Sequence, residues 1–348
     1  MTETVERTGA SDAADGGRAA VLEVTGLGVD IRTDRTWTGI VDDVDLVVRS
    51  GETVGLVGES GSGKTVTSLA VMGLLPPNAR VRGTVRLNGR DLTALSEREL
   101  DRVRGVEMGM IFQEPRRSLN PAFTVGDQVA ESVRRHRGAG RREAWERAVD
   151  LFDLVGIPDP RRRAGAYPHE FSGGMCQRVM LAMAVACEPS LLIADEPTTA
   201  LDVTVQKQVL GLIREIQQRL GIGVLLITHD LGVVAEVCDR TAVMYAGRIV
   251  EQTEVVELFD HPRHPYTAGL LAAMPDPRRH ADRLGVIPGI VPPPHAFPAG
   301  CRFHPRCDHR REPTCTTADI PLRDVSVGLP HRVRCARADE ITLEDTST

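Results

Sequence analysis

The sequence predicts an α/β domain on a parallel sheet, interrupted by a helical insert and followed by a small, irregular, cysteine-rich module. Three observations carry that prediction. The apolar runs LLIAD and GVLLITHD have the length and composition of fully buried strands. A strand, a glycine-rich loop and a helix follow one another before the Pro76–Pro77 stop. After about residue 262 proline becomes frequent, and four of the seven cysteines fall between residues 301 and 335.

Bulk properties set the frame. With 348 residues, 41% hydrophobic and 26% charged, the chain reads as soluble and globular, large enough for one domain and an appendage. No stretch reaches the roughly 18 apolar residues of a membrane-spanning helix, and the acidic start MTETVERTGASDAADGG lacks a signal peptide's apolar run. The expected compartment is therefore the cytosol. A net charge of −6 argues against a protein built mainly to bind nucleic acid. Only two of the 42 basic residues are lysines, Lys64 and Lys207, which makes the position of Lys64 informative.

Taken in order, residues 1–19 are small, acidic and aperiodic, as in a disordered tail. VLEVTGLGVDI and VDDVDLVVRSGETVGLVGES read as strands, and TVTSLAVMGLLP as a helix. Between about 116 and 187 the pattern turns helical and Arg-rich, in VGDQVAESVRRHR and RREAWERAVDLFDLVG. LLIAD, the helix VTVQKQVLGLIREIQQRL and GVLLITHD then form a strand–helix–strand unit that fits a right-handed parallel crossover. Residues 20–262 make the main domain, and 263–348 are expected to form a separate module on an irregular linker.

GESGSGKT, Gly58–Thr65, is a full match to G-x-x-x-x-G-K-[ST]. Gly58, Glu59, Ser60, Gly61, Ser62 and Gly63 form a loop whose amides cradle phosphates at a helix start. Lys64 reaches the β/γ-phosphates and the Thr65 hydroxyl binds Mg²⁺. In LLIADEP, Asp195 ends an apolar strand, where it can orient Mg²⁺, and Glu196 can activate the attacking water.

P-loops serve kinases, GTPases, helicases and transporter motors alike. The segment FSGGMCQR, Phe171–Arg178, chooses among them: it resembles the LSGGQ-like signature loop of ABC-type ATPases, with Met175 where Gln is commoner. Ser172, Gly173 and Gly174 at a helix start make a second anion cradle. The resemblance implies that this loop closes on the γ-phosphate held by another subunit. Gln113 in MIFQEP resembles the Q-loop glutamine, which contacts Mg²⁺ or water and faces the membrane partner. TTALD resembles the D-loop, and His229 in LLITHD the switch histidine that contacts γ-phosphate. An aromatic residue is expected to stack on adenine; no Phe or Tyr precedes the P-loop, so Trp37 is the candidate.

The run from Ser172 to Leu210, with EPRRSLNP and HPRHPYTAGLLAAMP, resembles the D-type ATPase subunit of bacterial dipeptide/oligopeptide and nickel importers over about residues 20–338. Two departures are Cys176, where Arg is common, and Thr65, where Ser is frequent. The resemblance implies a P-loop, RecA-like ABC nucleotide-binding domain that hydrolyses ATP at the cytoplasmic face of the cell membrane. A paralogous F-type ATPase, two permease subunits docked at the Q-loop region around Gln113–Pro121, and an extracytoplasmic substrate-binding protein are its implied partners. A nickel importer ATPase is the near alternative. A non-transport ABC ATPase acting on nucleic acid or the ribosome is disfavoured, since the chain has one cassette and no long coiled coil.

Cys301, Cys307, Cys315 and Cys335 have the spacing C-x5-C-x7-C-x19-C, with no C-x2-C knuckle. In a cytosolic protein clustered cysteines point to metal or redox chemistry rather than disulfides. Four thiolates suit either Zn²⁺ or an iron–sulfur cluster, and His304, His309 and His331 between them allow mixed Cys/His zinc. The family resemblance implies a [4Fe–4S] cluster on the four cysteines. Arg302, Arg306 and Arg334, adjacent in sequence, are expected to offset the thiolate charge.

Overall fold

The computed structural model describes residues 17–34, 36–199, 201–274, 285–326, 328–341 and 343. Most of the expected N-terminal tail, residues 1–16, lies outside them, as does Ala200 of TTALD.

An eight-stranded sheet forms the centre, in the order Arg323–Asp324, His331–Val333, Arg248–Glu254, Arg240–Tyr245, Thr53–Val57, Gly223–Thr228, Leu191–Asp195 and Met108–Ile111. The last five of these run parallel, and all residues of Thr53–Val57, Leu191–Asp195 and Gly223–Thr228 are buried. Continuous apolar runs are what such doubly covered strands require. A second, antiparallel sheet of Ala20–Thr33, Thr36–Arg49, Ala79–Leu87 and Arg90–Asp91 packs over one face. Between the two sheets a core forms from Leu22, Leu46, Leu56, Val71 and Ile193, all at most 1% exposed.

Five helices follow the edge strand Met108–Ile111: Pro115–Ser118, Val125–Arg137, Arg141–Leu154, Pro160–Ala164 and Gly173–Ala184. Their apolar faces meet in a core of Val129, Phe152, Leu181 and Leu226. The Thr124 hydroxyl accepts the Asp127 amide to cap the second of them. Helix Val203–Leu220 starts at Asp202, whose carboxylate accepts the amides of Thr204 and Val205.

Beyond residue 262 the chain is docked rather than detached. Strand His331–Val333 pairs antiparallel with Arg248–Glu254, so the C-terminal segment extends the main sheet. Buried Glu251 accepts the amides of Arg263 and His264 at 2.6 and 3.0 Å and pairs with His331 Nε2 at 2.7 Å. Tyr245, Tyr266 and Phe303 form a ring cluster with centroids 4.7–5.3 Å apart, each pair contributing about 0.5–1.5 kcal/mol beyond area burial. Residues 285–303 carry little regular structure, as the sequence leads one to expect, and a buried polar knot and an aromatic core hold the described C-terminal residues to the main domain.

Candidate active site

Four neighbouring parallel strands, Thr53–Val57, Gly223–Thr228, Leu191–Asp195 and Met108–Ile111, release their loops at one edge of the sheet, and the site is built there. A Cβ on Gly58 would lie 2.1 Å from the Met244 carbonyl oxygen, so only glycine lets the chain leave its strand here. Gly63, at φ 105°, turns the loop into helix Lys64–Met72, a conformation a side chain would strain. Such a loop at a helix start suits an anion. Lys64 is buried, and its ammonium donates to Gly58 O at 2.7 Å, Glu59 O at 3.0 Å and Ser62 Oγ at 3.4 Å. Burial pulls its pKa down against the opposing charges of Glu196, Asp195 and Glu59.

Thr65 Oγ1 donates to Asp195 Oδ1 at 3.4 Å, which joins two hard oxygen donors of the kind Mg²⁺ takes. Asp195 is 2% exposed; burial, with the negative charge of Glu196 adding to it, raises its carboxyl above the ordinary range. Glu196 follows in the left-handed region at φ 47°, its amide donating to Ile227 O at 2.8 Å. That turn costs about 1–3 kcal/mol and swings the side chain out of the strand direction. The Glu196 carboxylate then receives Gln113 Nε2 at 2.9 Å and Thr199 Oγ1 at 2.8 Å, and meets His229 Nδ1 at 3.2 Å. Burial works to raise its carboxyl, but the bonds from Thr199 and His229 and the charge of Lys64 outweigh it, holding it below the ordinary value. Thus Lys64, Thr65, Gln113, Asp195, Glu196 and His229, spread over some 165 residues of sequence, converge on one site.

Ser172–Gly174 lie at another helix start. Ser172 caps helix Gly173–Ala184 by accepting the Met175 amide at 3.3 Å, and a Cβ on Gly174 would meet Val205 Cγ1 at 2.5 Å. Among the described residues no hydrogen bond or ion pair joins Ser172–Gly174 to the P-loop.

Residues 41–199 match the ABC transporter family, and residues 250–315 match the oligopeptide/dipeptide transporter C-terminal region. A peptide import ATP-binding protein of Brucella melitensis is 52% identical over 337 residues, covering 93% of this chain and 99% of its own. This chain is an ABC transporter ATPase of the peptide-import family. A second such protein of B. melitensis is 52% identical over 290 residues, 83% of this chain and 87% of that one. Among solved structures, the dimeric ATP-binding cassette MJ0796 bound to ADP and Pi gives a TM-score of 0.60 at 26% identity, covering 67% of the ATPase and 98% of that chain. A component of the cbiONQ ABC transporter of Clostridium perfringens gives 0.59 at 26% identity, covering 69% and 90%.

Other expected site residues of the ATPase are placed as follows. Trp37 sits on the antiparallel sheet, 39% exposed, with the Arg80 guanidinium 4.5 Å over its ring centroid. Cys301, Cys307, Cys315 and Cys335 line one small cavity together with His264 and His304, and none is in a disulfide. Burial, aided by the charge of the neighbouring cysteines, pushes the Cys301 thiol up to about 12 and Cys307 up to about 11. His264 Nε2 and His304 Nδ1 are buried without a hydrogen-bond partner. Among the described residues no group of three or more His, Cys, Asp or Glu side chains is placed to hold a metal ion.

The three arginines beside the cysteines correct an expectation. Arg302 donates to Ala246 O at 2.5 Å and Asp42 Oδ2 at 2.9 Å, and Arg334 to Ile249 O at 2.9 Å and Asp43 Oδ2 at 3.1 Å. Arg306 donates to both carboxylate oxygens of Glu59. All three reach into the cassette because buried guanidinium groups need carboxylate or carbonyl partners, and the cassette supplies them. Three further residues touch the site: Thr199 bonds Glu196, while Tyr266 and Arg306 bond Glu59. Thr199 lies inside TTALD, but the other two carry no local motif pointing to the P-loop.

Proposed function

We propose that the chain is the D-type ATP-hydrolysing subunit of a bacterial dipeptide/oligopeptide importer, working at the cytoplasmic face of the membrane with a paralogous F-type ATPase and two permease subunits. The observation that carries this reading is the division within one chain. Among the described residues no hydrogen bond or ion pair joins Ser172–Gly174 to the P-loop, which supports a site completed by a partner's signature loop.

Lys64 and the loop amides bind the triphosphate. Thr65, Gln113 and Asp195 would hold Mg²⁺, which when bound neutralises charge on the β/γ-oxygens. Glu196 takes a proton from the attacking water, held ready by Thr199, Gln113 and His229. A partner's signature loop completes the site, and Ser172–Gly174 complete the partner's. Because closure requires nucleotide between the two, ATP binding favours association and hydrolysis releases it. The Q-loop region carries that motion to the permease; exposed Phe112 and Phe123 flank it. Adenine stacks on Trp37 in this reading, beside the Arg80 and Arg32 guanidinium groups that lie 4.5 and 5.8 Å from its ring centroid.

The four cysteines would hold a [4Fe–4S] cluster, as the family resemblance implies. That all four cysteines line one cavity supports this donor set. Bound there, a cluster would supply folding energy to a proline-rich segment. Anaerobically purified protein is expected to be brown, with absorption that bleaches on reduction; colourless protein with stoichiometric zinc would refute the assignment. For the transporter reading, the chain should co-sediment with membranes only when the permease subunits are present. Sedimentation unchanged by their deletion would count against it.

A further inference from the structure

Glu59 is the only acidic residue in the loop GESGSGKT, where a polyanion must bind. Its carboxylate receives two parallel bonds from Arg306, Nη1 to Oε2 at 2.7 Å and Nη2 to Oε1 at 3.1 Å. The Arg306 side chain is 5% exposed, and Nε donates to Pro288 O at 2.7 Å, Nη2 also to Ile287 O at 3.3 Å. The rings of Tyr245 and Phe303 stand 5.7 and 6.0 Å from the guanidinium. On the backbone side, the Glu59 amide donates to Tyr266 Oη at 3.0 Å, while the Glu59 carbonyl accepts from Lys64 Nζ at 3.0 Å. Residues 207 and 247 positions downstream therefore hold the backbone amide and the carboxylate of Glu59, whose carbonyl bonds the P-loop lysine.

We propose that Arg306 is a positioning residue of the nucleotide site: it neutralises and turns aside the Glu59 carboxylate, so that the triphosphate meets a P-loop with no uncompensated negative charge. A bidentate fork suits this role because it fixes the direction of the carboxylate as well as its charge. Without it, a free carboxylate in the loop opposes the phosphates, and at close range in a partly buried site such repulsion is worth about tenfold in affinity. The role does not depend on what the neighbouring cysteines hold. It rests on the P-loop as the nucleotide site, which Lys64→Ala tests separately by abolishing binding.

Titration of the full-length protein with Mg-ATP, at about 0.05 M and about 0.5 M salt, tests it. Arg306→Gln should bind about tenfold more weakly at low salt, with the gap narrowing at high salt. Arg306→Lys should recover most of the loss, and Glu59→Gln combined with Arg306→Gln should bind more tightly than Arg306→Gln alone. Wild-type affinity in Arg306→Gln, or a loss that neither salt nor Glu59→Gln relieves, overturns the proposal. Should Arg306→Gln yield no folded protein, the double variant, which has no charge left to neutralise, must fold and bind; its failure also overturns it.

Discussion

At the scale of single residues, the Glu196 carboxylate gathers three donors, and its chemistry follows from them. Glu196→Gln keeps the shape of the side chain but cannot accept a proton from water, so nucleotide binding should persist while turnover by the assembled importer falls about 10²–10⁴-fold. Undiminished hydrolysis would remove Glu196 from the base role. A base must be ionised to act, and the rate is lost as pH drops through its pKa. Because that pKa lies below the ordinary 4.5, the acid limb of the ATPase profile should lie below it too. Thr199→Ala removes a donor to the charged form, so the limb should move to higher pH. A limb that stays in place would show that the Thr199 bond at 2.8 Å does not tune the base.

At the scale of elements, strand His331–Val333 is short, and its hold on the main sheet depends on polar contacts as much as on pairing. Glu251 is fully buried, and His331→Ala would leave it one donor poorer. Loss of such a bond in the interior costs about 1–3 kcal/mol, a fall of several degrees in Tm for a chain of this size. Calorimetry should register the shift, and limited proteolysis should cut first beyond residue 262; an unchanged melt with unchanged cleavage would mean that strand pairing alone docks the segment. Helix Gly173–Ala184 presents a different case. Ser172 caps it and Gly174 lies against Val205, so the cradle is held by local packing even without its ligand.

At the scale of the whole molecule, the proposed function needs the Ser172–Gly174 loop to close on a partner's nucleotide. Replacing Ser172 with Arg puts a bulky cation where a partner's γ-phosphate must enter. Nucleotide-dependent association of the two ATPase subunits, followed by gel filtration in a Glu196→Gln background, should then disappear. Association that survives would show that closure does not use this loop. The C-terminal segment adds a second lesson at this scale: through Arg302, Arg306 and Arg334 it is bonded to Asp42, Glu59 and Asp43 of the cassette. It is part of the frame around the P-loop.

The sequence by itself determined the α/β cassette, and it singled out Lys64, Thr65, Gln113, Asp195, Glu196 and His229, which the fold brings close together. Each of these sits at a strand end or helix start, where local pattern and chemistry are inseparable. Apolar runs of five or six residues declare a doubly covered strand because only such strands exclude water on both faces, and the loops that follow them carry motifs of fixed spacing. What only the tertiary structure decided is who meets across the fold. The Arg306–Glu59 pair spans 247 positions, and the sequence around Arg306 pointed toward the adjacent cysteines instead. Local patterns record propensity and spacing; the partner of a buried guanidinium is chosen by whichever carboxylate packing brings within reach, and that depends on the path of the whole chain.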